Sequence, residues 1–418
     1  MAYYRVAGRT VADSDAGFAS LLAQAYGSRQ RPLCLCRGGG LEMYVARLAG
    51  GHVLKRMPGT GSRHAMACPS YEPPAALSGL DEVLGSAILP ASEDGVTTLR
   101  CAFSLSRQAA RAGAGAAPAA GGGGVRASPG RLTLRGLLHY LWHEAGLPRW
   151  RPAMEGKRSW SVVRWHLLKA AGDKAVRGRP LPDYLFIPEP YASEQRAAIA
   201  ARRALAFERA GRAGAGAGLL LLVGEAKEFA PARLGRKLLV KHMPDCPFLL
   251  RDEVAQRVAR RFKRELELWA AYDDLRLVVC GTFSVGGSGL PTVEEVTLML
   301  VTPRWLPLED DLERELLRRL VADGRRFDKC LRFNAADDRV LPCAVLCDTA
   351  GPVALYVLRA GESAAALDGA LRQLREDCAF GVWVWDGCAG GMPELPPARG
   401  SAEIPGDEPQ EKLPGFDD

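Results

Sequence analysis

No apolar run in this chain reaches the roughly 18 residues that a membrane-spanning helix needs, and its first residues show no basic-then-apolar leader. Both absences lead us to expect a cytoplasmic protein with no membrane contact. The eleven cysteines are odd in number and scattered after the first few, so they exclude a disulfide framework and favour reduced thiols. The phosphate-loop spacing G-x-x-x-x-G-K-[ST] is missing from the glycine-rich loop Met57-Pro58-Gly59-Thr60-Gly61-Ser62, which leaves only a generic phosphate cradle there. The order H-E-x-x-H is missing too. His139 and His143, with Glu144 beside them, are therefore read as ordinary helix-surface residues.

What is present is the material of a globular protein: 48% apolar and 25% charged residues over 418 positions, enough for two to four domains. The net charge is a mild +7, so its distribution matters more than its sum.

Residues 34–74 carry the only stretch that proposes specific chemistry. Cys34 and Cys36 are two apart, so an extended strand points both thiols to one face. His64 and Cys68 are four apart, within reach of each other across one helical turn or a tight loop. Between them, residues 41–47 and 52–57 alternate apolar and polar around Gly50-Gly51, which predicts a hairpin returning the chain to its start. Three soft thiolates and an imidazole are a common ligand set for structural zinc. The competing reading is a patch of free buried thiols with His64 at the surface.

Residues 109–130 are almost entirely Ala, Gly and Pro and read as a flexible linker. Residues 131–179 hold eleven Arg and Lys against three acids, a surplus of +8, together with Trp142, Trp150, Trp160 and Trp165. Helices are predicted over 132–145 and 159–171, with a strand at 185–187, a winged-helix-like order. Lys157, Arg158, Arg164 and Lys169 are the candidates for contact with DNA or RNA phosphates. The alternative is a packing domain with core tryptophans and solvated cations.

A helix is predicted over 193–210, then a buried strand over 219–229 ending in Gly224-Glu225-Ala226-Lys227. Glu-x-Lys at a strand end is half of the magnesium-dependent PD-(D/E)xK nuclease motif, and Asp183 would supply the other carboxylate. A helix and loop of about forty residues separate Asp183 from Glu225, and a cross-strand ion pair explains Glu225 and Lys227 equally well. His242, Asp245 and Cys246 form a weaker second metal set. One long helix is predicted over 251–272, and strands over 275–284 and 293–301.

The C-terminal order is helix 308–322, strands 330–334, 342–347 and 353–358, helix 362–378 and strand 382–385. This αβββαβ order is that of a nuclease core, but Cys343 and Tyr356-Val357-Leu358 stand where carboxylates and lysine belong. The unit is accordingly read as degenerate. Residues 391–418 are rich in Pro and acids and read as a disordered acidic tail.

The stretches Cys34-x-Cys36, MYVAR, LKRMPGTG-x-x-H, C-x-SYEPP, RGLLHYLW, GKRSWSVVRWHLL, FIPEPY, GEAKEF and RRFDKCLRFN resemble an uncharacterised bacterial domain-of-unknown-function family of plasmids and integrative elements. The resemblance runs over most of the chain and implies a special status for Cys34, Cys36, His64 and Cys68. It implies no reaction.

The fold expected is α+β. A zinc-stabilised β-hairpin module (1–108) precedes the linker and a basic winged-helix-like module (131–192). A central α/β domain (193–304), the αβββαβ unit (305–390) and the tail follow. The function expected is zinc-containing nucleic-acid binding linked to mobile elements. The alternatives are a magnesium-dependent nuclease built on Asp183, Glu225 and Lys227, or a protein-interaction scaffold whose partner the residues do not name.

Overall fold

The structure, a computed structural model, describes residues 2–399 apart from 49–50, 58, 91–94, 106–129, 213–217, 234, 287–288, 361–363 and 378. Among the described residues the fold is mixed α and β, with eight α-helices and four sheets. No helix there is long and apolar enough to cross a membrane.

The N-terminal sheet has the strand order Arg9–Ala12, Tyr3–Val6, Leu33–Cys34, Leu41–Leu48, Gly51–Arg56. The predicted hairpin forms, with Met43 opposite Arg56 and Arg47 opposite His52. A helix spans Phe18–Gly27. Ala7 and Gly8 take positive φ and turn the chain back, so residues 9–12 pair with 3–6 instead of coiling.

The expected basic module does not stand alone. Its helices Leu134–Glu144 and Trp160–Ala171 form where the sequence puts them, capped by Thr133 and Ser159. The hairpin after them, Lys174–Val176 with Arg179–Pro180, pairs in parallel with Thr97–Leu99 from the first module. Arg149–Trp150 instead joins the C-terminal sheet beside Phe327–Lys329. The cause is apolar burial: Trp142, Trp150 and Trp160 are core residues, and the Trp142 Nε1 donates to the Trp305 carbonyl at 3.2 Å.

The largest sheet closes on itself. Five strands, Leu220–Pro231, Arg236–Val240, Met243–Leu250, Arg276–Val285 and Pro291–Val301, pair in the cyclic order first, second, third, fifth, fourth, first. Only the contact between the third and fifth is parallel, with Leu249 level with Thr292. The first strand pairs with the fourth over Leu220–Ala226 and with the second over Ala226–Pro231, bending at an irregularity around Lys227. The helical segment lies between the third and fourth strands. This order and these directions are those of an OB-fold barrel. Leu222, Leu238, Phe248, Val279, Phe283 and Leu300 belong to the cluster that fills it. Leu221, Val223, Val278 and Cys280 face the other way and pack with Leu138, Trp142 and Val163 of the two capped helices. The predicted helix over 251–272 is broken into Asp252–Arg261 and Lys263–Ala271, because the buried Phe262 leaves helical geometry between them.

The C-terminal sheet runs Gly381–Asp386, Val353–Leu358, Ala344–Leu346, Phe327–Lys329, Arg149–Trp150. The predicted order of helix, three strands, helix and strand is present, its first strand three residues earlier than expected. Cys343 and Tyr356 are simply buried core. Of the expected tail, residues 391–399 are held in place: Trp383 Nε1 donates to the Glu394 carbonyl at 2.9 Å, and the Arg399 N–H to the Asp348 carbonyl at 2.7 Å. Residues 400–418 lie outside the described residues, as does all of the expected linker except Gly130.

Asp348 accepts from Arg325 Nε and Nη2 at 3.0 and 2.8 Å and from the Arg326 N–H at 2.8 Å. Both partners are buried. Asp348→Ala leaves a buried guanidinium uncompensated and is expected to cost about 3–5 kcal/mol in urea unfolding. Breaking the exposed Lys263–Glu267 pair with Glu267→Ala should cost less than about 1 kcal/mol. Equal costs would contradict the pairing as drawn.

Candidate metal centre

Cys34 ends a strand, Cys36 follows in the next loop, His64 sits just past the turn Gly61–Arg63, and Cys68 lies in the turn after it. The hairpin between the two pairs returns the chain, and the four donor atoms lie within 4.8 Å of one another. Cys34 Sγ is 3.7 Å from Cys68 Sγ, Cys36 Sγ is 3.4 Å from His64 Nδ1, and Cys68 Sγ is 3.7 Å from His64 Nδ1. Zinc bonds of about 2.3 Å to sulfur and about 2.0 Å to nitrogen make tetrahedral edges of roughly 3.8 Å (S–S) and roughly 3.5 Å (S–N). Three of the six edges are therefore already of zinc-site length. The S–S separation is far too long for a disulfide.

The electrostatics also call for a cation. Cys34 donates to Cys68 and is buried, and both effects push its thiol up. Burial raises Cys36. Cys68 is lowered to about 5, because it accepts from Cys34 and from the Ser70 N–H at 3.4 Å and faces His64. Only one thiolate is thus favoured among three thiols, and a divalent ion supplies the charge that ionises the others. The Ala65 N–H, 3.5 Å from Cys36 Sγ, supports a second one. All four positions are protein atoms, so no place is left for a reacting water, and the set fits a structural rather than hydrolytic zinc. His64 Nε2 is buried with no hydrogen-bond partner, so Nδ1 is the ring's one engaged atom.

A polar cleft of about 410 Å³ opens beside the centre, lined by Gly59, Gly61 and Ser62 of the glycine-rich loop and by Lys55, Glu72 and His143. Gly61 is needed where it is, since a Cβ there would stand 2.6 Å from Glu72 Cβ. Glu72 pairs with Arg56 and, at 3.3 Å, with His143 Nε2. Behind them Lys174, 1% exposed, contacts Asp173 at 2.7 Å and Glu144 at 2.9 Å, and Lys55 contacts Asp173 at 2.8 Å. Burial alone would lower the Lys174 ammonium, but Glu144 and the other acids hold it up. No local pattern of residues announces this network, because Lys55 and Tyr44 meet Asp173 from well over a hundred residues away.

Comparison with protein families matches residues 4–388 to DUF1173, a protein of unknown function. The chain belongs to that family. All four donors lie inside the matched span, and so does every other candidate residue named from the sequence. No curated protein and no solved structure matches this DUF1173 chain.

The nuclease residues do not assemble. Leu185 is level with Leu221 on the neighbouring parallel strand, so Glu225 lies about 13 Å further along, away from Asp183. Asp183 is exposed, with Arg179 at 4.0 Å. Glu225 is buried and answered by Lys241 at 2.9 Å and Arg276 at 3.4 Å, while Lys227 faces solvent at the strand irregularity. Among the described residues the Cys34, Cys36, His64 and Cys68 group is the one cluster with metal-ligand geometry, so neither magnesium at 183/225/227 nor a second set at 242–246 is supported. Asp245 is instead taken by Arg203, at 2.8 Å, and His242 stacks on Trp160.

The four proposed phosphate contacts divide. Arg158 turns inward and donates to the carbonyls of Leu147, Arg149 and Arg304, and Arg164 donates to that of Ile187 at 3.1 Å. Burial lowers Arg158 to about 10. Lys157 is exposed, and Lys169 lies 4.7 Å over the ring of the partly exposed Trp165. His139 and His143 are not surface residues: the Phe333 N–H donates to His139 Nδ1 at 3.0 Å, and burial lowers His139 to about 3.

Burial opposes ionisation of Glu72, but Arg56 and His143 outweigh it and bring the carboxyl from 4.5 to about 2. A depressed carboxylate contributes stability that is complete above the unfolded value and is lost as pH falls through the folded one. Wild-type stability should therefore drop between about pH 4.5 and pH 2. Glu72→Gln should drop less steeply in denaturant unfolding at each pH. Identical slopes would show that Glu72 is not held ionised by the fold.

Proposed function

We propose that this DUF1173 chain is a zinc-containing nucleic-acid-binding protein in which one zinc ion, held by Cys34, Cys36, His64 and Cys68, is structural. The observation that carries the zinc assignment is the set of donor separations at tetrahedral-edge length in a closed four-donor group. The zinc would cross-link the two ends of the hairpin and fix the loop that lines the cleft. Nucleic acid as the ligand is supported by cations that the fold leaves outward, among them the exposed Lys157, and Lys169 over the ring of Trp165. A cytoplasmic setting fits the ten free cysteines among the described residues. A setting in mobile genetic elements is carried by the sequence resemblance alone.

Purified protein should contain about one zinc per chain by elemental analysis, and Cys36→Ser and Cys68→Ser should each lose it together with thermal stability. Metal-free wild type that melts as cooperatively as the loaded protein would refute a structural role. Labelled single-stranded oligonucleotides should bind with an affinity that falls steeply from about 50 to about 200 mM salt. No binding at the lower salt would end the nucleic-acid reading.

A further inference from the structure

The closed barrel has an outer face that nothing above has used. Along the second strand Leu238 and Val240 point into the core, so Lys237 and Leu239 point out. Lys237 stands level with Leu249 of the third strand, and Leu239 with Glu228 of the first. Lys237, Leu239, Pro247 and Leu249 are all half-buried, which makes a shallow, partly apolar strip.

Two loops flank the strip at the same end. The second strand begins at Arg236, opposite Leu250, and Leu249 is level with Thr292 at the start of the fifth. The turn before Arg236, containing Arg233, therefore lies at the same end as the loop that delivers Pro291. That second loop exposes Leu290 at 39%.

The charge around the strip is one-sided. Lys227 and Arg233 are exposed and Lys237 is half-exposed, and none of them has a carboxylate within 4 Å among the described residues. Arg236 instead alternates toward the core side and donates to the Phe229 carbonyl at 3.1 Å. Lys241 stands at the far end of the strand, paired to the buried Glu225. Glu228 is the one exposed acid between Lys227 and Lys241 on the first two strands. By contrast, the exposed face of the helical segment is largely balanced or turned inward: Arg158 and Arg164 are spent on carbonyls.

We infer that this face, with Lys237 at its centre and Lys227 and Arg233 around it, binds the phosphate backbone of a single-stranded nucleic acid. The inference rests on the nucleic-acid reading above and names its site. The ligand follows from physical fit. Cations without a carboxylate partner along the outward face of a strand match a regularly charged polyanion, and a narrow curved face between two loops suits a single strand better than a duplex. The second and third strands with those two loops are also where OB-fold barrels take oligonucleotides. No aromatic ring lies on the strip among the described residues, since Phe229 packs inward against the barrel core and Trp269. Affinity should therefore come mainly from phosphates, with steep salt dependence and little base preference.

The test is fluorescence anisotropy on the full zinc-loaded chain with labelled oligothymidylate and oligouridylate of about 12 nucleotides, a duplex of the same length, and a polyglutamate peptide. Arg233→Glu with Lys237→Glu is compared with Lys157→Glu plus Lys169→Glu, zinc content and melting being checked for each. The inference expects single strands to bind more tightly than the duplex, and the barrel variant to lose at least about tenfold in affinity with a shallower salt slope. Undiminished binding in the barrel variant, with the loss in the Lys157 and Lys169 variant, overturns the site while leaving the nucleic-acid reading intact. Binding of the acidic peptide alone, or of no polyanion, overturns both. Binding of thymidylate and uridylate alike supports a backbone-directed site serving either nucleic acid.

Discussion

Four donor atoms within 4.8 Å of one another, three of them on buried residues and Cys36 half-buried, set the central constraint of this molecule. Thiols brought this close cannot all ionise without a cation, and left neutral they would be weak partners for one another. A metal would resolve the conflict, and in doing so it would join the segment after Leu33–Cys34 to the turn that follows the hairpin. The junction matters beyond its own sheet. The loop just past Cys68 offers its Pro69 and Tyr71 carbonyls to Arg149, which starts the edge strand of the C-terminal sheet and also pairs with Asp328. Glu72, on the same loop, receives Arg56 and His143. A metal there would fix a loop on which the N-terminal sheet, the C-terminal sheet and the helix Leu134–Glu144 converge.

The remaining architecture is a shared core more than a string of modules. Strands cross every border that composition suggests: residues 97–99 pair with 174–176, and residues 149–150 with 327–328. One face of the barrel strands closes around its own interior while the opposite face packs on the two capped helices. Tryptophans tie these layers together, with Trp305 reached by Trp142, Trp160 and the guanidinium of Arg276. A chain organised this way should present its binding surfaces at the edges of the shared core, which is where the cleft beside the metal and the open barrel face are found.

Local chemistry was legible in the sequence and long-range chemistry was not. The C-x-C and H-x-x-x-C spacings located the metal donors because a strand and a turn fix side-chain direction within a few residues. Ser159 marked a helix start for the same reason, its hydroxyl accepting from a backbone N–H three residues on, whereas the cap Thr133 fell inside the helix predicted over 132–145. The basic stretch misled, because composition counts a cation without showing where it points, and Arg158 and Arg164 point at carbonyls. The Glu225–Lys227 pair misled in a similar way, since its nuclease partner depended on a strand register that no local pattern reveals. The barrel escaped notice because its closure rests on the first strand meeting the fourth across about fifty residues. Three of its five strands, Leu220–Pro231, Arg276–Val285 and Pro291–Val301, were nonetheless marked by their own apolar runs.

The account stands or falls on the coordination of a metal by this one group of side chains. X-ray absorption at the zinc edge of the purified full chain reads that directly. The structure predicts about three sulfur neighbours near 2.3 Å and one nitrogen near 2.0 Å, with no oxygen in the first shell. A shell dominated by oxygen and nitrogen, or a spectrum unchanged in Cys68→Ser, would place any bound zinc elsewhere and leave Cys34, Cys36 and Cys68 as buried thiols.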